Sequence, residues 1–100
     1  MTTKDLVDKI SDNYNSCVRL IEVKNHDYAG DSDALKNFRY AGLVGVDLAR
    51  GILVRMTDKI ARVSNLIDKD PKVVGESVKD TLNDLCNYAQ ILSVYLEDKQ

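Results

Sequence analysis

The chain has 100 residues, 44% of them hydrophobic and 30% charged, with 14 basic side chains against 16 acidic ones and a net charge of −2. That is room for one domain with a single core of modest depth, and it argues against a disordered chain. It also argues against general affinity for nucleic-acid backbone or anionic membrane, which needs a basic surplus; no apolar run approaches the roughly 18 residues of a membrane span.

Thr2 and Asp5 match a capping box, after which Leu6, Ile10, Tyr14, Cys17 and Ile21 recur at steps of three and four, predicting a helix to about Val23. From Lys24 to Asp33 the period vanishes and Asn, Asp, Gly and Ser accumulate, which predicts a loop. A short second helix is expected from Ser32 or Asp33, carrying Leu35, Phe38 and Tyr40 and ended by Gly42 and Gly45. The third, about Val46 to Ile67, aligns Ala49, Ile52, Leu53, Met56, Ile60, Val63 and Ile67 on one side. Gly51 within it costs roughly 1 kcal/mol relative to alanine unless a neighbour packs there.

Pro71 marks a turn within Asp68 to Lys72. The last helix, about Val74 to Glu97, places Val78, Leu82, Leu85, Ala89, Leu92 and Leu96 on a heptad seam, with Thr81, Tyr88 and Tyr95 on a second seam beside it. Two adjacent apolar strips pack against two neighbours, one of which can belong to another subunit. Such a helix is about 36 Å long, much for a domain of this mass. The expected fold is one all-α domain over residues 1–100, four-helix bundle-like, with long third and fourth helices and completed by oligomerisation.

Cys17 and Cys86 lie 69 positions apart in helical segments, which gives neither a disulfide framework nor a CxxC metal site. A reduced, soluble, cytoplasmic protein is expected.

Three constellations carry chemistry. Glu76, Asp80 and Asp84 form an acidic ladder at steps of four, which places successive carboxylates about 5 to 6 Å apart at their Cβ atoms, close enough to share a hard cation such as Mg²⁺. Asn83 and Asn87 flank it. The same acids also suit the opening of a helix, with Ser77 and Asp80 as a second capping box.

Arg55, Asp58, Lys59 and Arg62 recur at steps of three and four on the preceding helix, where the cations suit phosphate oxygens and Asp58 can join the ladder; the alternative is a solvated face of weak ion pairs. Lys24, Asn25, His26, Asp27 and Tyr28 bring charge, an amide and an aromatic ring together, a set suited to a base and its phosphates. His26, the sole histidine, suits a surface or turn role. With no phosphate-binding glycine loop, no nucleophile elbow and no base beside either cysteine, covalent catalysis is not expected and no catalytic residue is assigned.

The order Lys24-Asn25-x-Asp27-Tyr28, Asn37-Phe38, Arg55-x-x-Asp58-Lys59-x-x-Arg62 and Glu76-Ser77-x-x-Asp80-Thr81-x-x-Asp84-Leu85-x-Asn87-Tyr88-Ala89 resembles the phage and prophage nucleotide modification associated domain 1 family. The resemblance covers roughly Val23 to Leu96. It implies a small helical protein that binds or acts on nucleotides, encoded by a bacteriophage and working in the host bacterial cytoplasm.

A more distant similarity is to the MazG-like all-α NTP pyrophosphatases, which hold Mg²⁺ with ExxE and ExxD elements on successive helices and often assemble from two chains. Here the acids are spaced by four rather than three, and the preceding helix offers only Asp58. These resemblances imply a homo-oligomeric nucleotide-binding protein, with Mg²⁺-dependent pyrophosphohydrolysis of nucleoside triphosphates as its enzymatic form. Asp58, Glu76, Asp80 and Asp84 are the candidate metal ligands, and Lys24, Asn25, Asp27, Tyr28, Arg55, Lys59 and Arg62 the candidate nucleotide contacts. The alternatives are a non-catalytic sponge that sequesters a host signalling nucleotide and a structural module that uses the heptad seam as its interaction surface.

Overall fold

The computed structural model of the chain describes residues 1–28, 33–69 and 71–99, and of residues 25–28 and 71–76 the backbone alone. Among the described residues three α-helices and one 3₁₀ helix follow in order: α1 (Thr3–Tyr28), the 3₁₀ helix (Lys36–Val44), α2 (Leu48–Leu66) and α3 (Pro71–Lys99). The fold is all-α. The third and fourth predicted helices are α2 and α3, and they are packed together along their lengths; α1 also lies on α3, and the 3₁₀ helix on α2.

Local chemistry accounts for the starts. At α1 the Thr2 hydroxyl accepts from the Asp5 amide at 3.1 Å and the Asp5 carboxylate accepts from the Thr2 amide at 3.3 Å, the reciprocal capping box expected there. Asp47, in extended conformation, caps α2 by accepting from the Arg50 amide at 2.8 Å. Gly45 ends the 3₁₀ helix in the left-handed region at φ +79°, where a side chain is strained.

Two boundaries differ from expectation. The segment from Lys24 is not a loop through its first five residues: α1 continues to Tyr28. Apolar periodicity reports which residues pack, not where the backbone stops being helical, and no glycine or proline interrupts the chain before Gly30. Likewise Pro71 opens α3 rather than marking a turn before it. Proline suits the first helical position, because its missing N–H is one of the donors that a helix start leaves unpaired. Ser77 and Asp80 therefore lie inside α3 and are not a capping box; the Ser77 carbonyl accepts from the Thr81 hydroxyl one turn on. At about 1.5 Å per residue α3 runs some 43 Å, the longest dimension of the molecule at 43 Å.

The core gathers Phe38, Leu48 and fully buried Ile52, with Leu35, Met56, Tyr88, Ile91, Leu92 and Tyr95 packed on it. Thr81 and Asn87 are buried polar residues of α3. The strip of α3 bearing Thr81, Tyr88 and Tyr95 is thus turned to the core together with Leu92 of the heptad seam, while Leu82 and Leu96 of that seam remain exposed. Gly51 sits where α2 meets the 3₁₀ helix: a Cβ built there would lie 3.0 Å from the Cβ of Ala41.

Candidate functional site

A hollow of about 250 Å³ opens where all four helices meet, lined by Ile21 and Lys24 of α1, Asn37 and Phe38 of the 3₁₀ helix, Arg55 and Lys59 of α2, and Asp84, Asn87, Tyr88 and Ile91 of α3. Its floor is aromatic. Phe38 and Tyr88 meet edge to face, with centroids 6.1 Å apart and planes at 88°. The Arg55 guanidinium lies over the Phe38 ring, 5.0 Å from its centroid.

Asp84 organises the charge. One carboxylate oxygen accepts from Lys24 Nζ at 2.9 Å and the other faces Lys59 Nζ at 3.3 Å, so a single acid from α3 draws together a cation from α1 and one from α2. The Asp84 side chain is only 20% exposed, which keeps both pairs partly out of solvent. Below them, buried Asn87 donates from Nδ2 to the Cys17 carbonyl at 3.3 Å and ties α1 to α3. Cys17 is buried, and burial first, then the neighbouring Cys86, pushes its thiol above the ordinary value. The two cysteines, 69 positions apart in sequence, are free thiols lining one small hollow beside the pocket.

Of the expected nucleotide contacts, Lys24, Arg55 and Lys59 converge on the pocket. Arg62 does not: its Nε donates to the Thr81 hydroxyl at 3.1 Å, and that hydroxyl donates to the Ser77 carbonyl at 2.7 Å, so Arg62 fastens α2 to α3. The side chains of Asn25, Asp27 and Tyr28 lie outside the described residues.

Of the expected metal ligands among the described residues, Asp84 alone lines the pocket. Asp80 is exposed one turn earlier on α3, and exposed Asp58 lines a separate open hollow with Lys59, Arg62 and Asn65. The Glu76 side chain lies outside the described residues. Among the described residues no three His, Cys, Asp or Glu side chains gather where they could hold a metal ion. The chemistry of the described donors therefore does not fit Mg²⁺ at this pocket, since both oxygens of Asp84 already face ammonium groups.

Sequence reasoning assigned no site role to Asn37, Phe38 or Tyr88, and gave Asn87 only a place beside the acidic ladder. Phe38 and Tyr88 read as core because they occupy apolar strips, and they are core on one side and pocket floor on the other. The signal that marks them lies in the spaced pairs Asn37-Phe38 and Asn87-Tyr88, where an amide adjoins each ring.

The family model described as nucleotide modification associated domain 1 matches residues 24–96, a span that takes in nine of the ten residues lining the pocket. No curated protein and no solved structure matches the chain. Among the described residues no helix is long and apolar enough to cross a membrane.

Proposed function

We propose, for a chain that belongs to the nucleotide modification associated domain 1 family, that the pocket at the meeting of its four helices binds a nucleotide. The observation that carries this reading is the charge of the lining: among the described residues three cations, Lys24, Arg55 and Lys59, meet the carboxylate of Asp84 in a chain whose net charge is −2. That local positive excess on an aromatic floor suits an anion joined to a flat ring. The lysines and Arg55 donate to phosphate oxygens, and the ring of the base lies against Phe38 and Tyr88. Asn37 offers an amide to the base edge, while Asn87 positions α1 through its bond to Cys17. The volume of about 250 Å³ lies just under the roughly 300–1,000 Å³ of pockets for drug-sized ligands. It suits a mononucleotide better than anything larger, and no step of binding is routed through a metal.

Calorimetry with mono-, di- and triphosphates of each nucleoside, with and without EDTA, tests this. Binding that survives chelation is the expected result; no heat from any nucleotide at millimolar concentration overturns it. Recovering the ligand then separates the two finer readings. Intact nucleotide marks a protein that sequesters its ligand, whereas Mg²⁺-dependent release of pyrophosphate marks the hydrolase.

A further inference from the structure

The surface of the molecule is too large for its mass. A folded monomer of 11.2 kDa exposes about 5,700 Å² by the usual scaling, whereas this chain exposes 7535 Å². Its radius of gyration is 15.3 Å, against about 13 Å for a compact domain of 100 residues. Part of the exposed apolar surface lies on α1. Every residue of the first half of α1, through Ser16, is exposed, although the helix carries a continuous apolar stripe there. Leu6, Ile10 and Tyr14 are 46%, 42% and 48% exposed, and Leu82, from the heptad seam of α3, is 46% exposed. Ile10, Tyr14 and Leu82 line the open groove between the two helices, and Val78 continues it toward the start of α3. The rim holds Lys9, Asp12 and Lys79, together with the amides of Asn13 and Asn83.

We propose that a second copy of this chain seats in this groove, the α1 stripe and the Leu82 seam of each protomer packing against those of the other about a two-fold axis. Area favours this occupant. The excess of about 1,800 Å² per chain, to which this stripe contributes, leaves room for the roughly 800 Å² per partner of a standard interface. Charge favours it too: a rim bearing both signs is self-complementary under a two-fold, which sets Asp12 of one copy against the lysines of the other. The assembly adds the neighbour that α1 lacks and turns two half-covered helix pairs into one four-helix layer.

Sedimentation equilibrium of the full chain tests the proposal, and it reads mass alone, so it stands whether or not the pocket takes a nucleotide. Wild type is expected at twice 11.2 kDa at micromolar concentration. The double variant Ile10→Glu, Leu82→Glu is expected to weaken self-association by at least on the order of a hundredfold while helical circular dichroism is retained. Leu53→Glu with Ile60→Glu, on exposed positions of α2, is expected to leave the dimer intact. Should the groove variant fail to fold, amide exchange of wild type replaces it: protection of residues 3–16 rises with protein concentration. A wild-type monomer at the highest soluble concentration overturns the proposal, whether or not it captures a different protein. So does a dimer broken by the α2 variant and untouched by the groove variant.

Discussion

Asp84 holds two ammonium groups that would otherwise repel each other, and this fixes what an incoming anion meets. A phosphate competes with the carboxylate for Lys24 and Lys59, because each lysine already faces an oxygen of Asp84. Replacing the carboxylate by an amide keeps the shape and removes the competitor. Asp84→Asn is therefore expected to raise mononucleotide affinity roughly fivefold, the equivalent of about 1 kcal/mol for a partly screened pair. Lys59→Met, which removes a donor to the phosphate, is expected to lower it roughly tenfold. Titration calorimetry of both variants checks the pair, and loss of binding in Asp84→Asn would mean that the carboxylate itself touches the ligand or a cation. Arg62 shows how the same residue type diverges in role one turn along α2: its guanidinium is bonded to Thr81, so it acts in helix packing.

At the scale of the elements, α2 depends on its first and second turns. Asp47 accepts from the Arg50 amide and pairs with its guanidinium, and the backbone bond first, then the side-chain bond, hold the carboxyl below its ordinary value. A group depressed in the folded state stabilises the fold above its unfolded value and loses that contribution as pH falls through the folded one. Asp47→Ala should lower the thermal midpoint at neutral pH, with Asp47→Asn retaining most of it as an uncharged cap; the gap between wild type and the Asn variant should close in acid, below about pH 4. A gap that persists there would place the effect elsewhere. At Gly51, alanine would gain roughly 1 kcal/mol of helix propensity but would meet the Ala41 Cβ at 3.0 Å. Gly51→Ala is expected to yield no net stabilisation in chemical denaturation, and to become stabilising in an Ala41→Gly background, where the contact is gone; a gain in the wild-type background would show that the 3₁₀ helix yields freely. These positions mark what was legible in the sequence. The stripes of α2 and α3, the Thr2–Asp5 cap and the shared face of Arg55 and Lys59 follow from spacing, since helical period and charge pattern are local properties, whereas the grouping of Lys24 with them comes from the family resemblance. The continuation of α1 to Tyr28, the start of α3 at Pro71 and the pocket roles of Phe38 and Tyr88 do not. The two helix ends are not marked by packing period, and the pocket roles depend on which neighbour each ring meets, which is set by the crossing of helices distant in sequence.

For the whole molecule, the size of the core sets the stability available to one copy. Phe38, Leu48 and Ile52 make one small cluster, and Cys17 is buried apart from it under Asn87. Small domains bury a modest share of their surface and are marginal when alone. A groove filled by a second copy adds apolar burial that exists only in the assembled state, so unfolding becomes the conversion of one dimer into two unfolded chains. Mass action then ties the thermal midpoint to concentration: each tenfold increase in protein adds about 1.4 kcal/mol to the apparent stability of the dimer, through the RT ln term of a ligand that binds only the folded state. Differential scanning calorimetry over a hundredfold range of concentration, at fixed ionic strength, should show the midpoint climbing for wild type and staying level for Ile10→Glu, Leu82→Glu. A level midpoint in wild type would assign all of the stability to the small core around Ile52 and leave the exposed stripe of α1 without a part in folding.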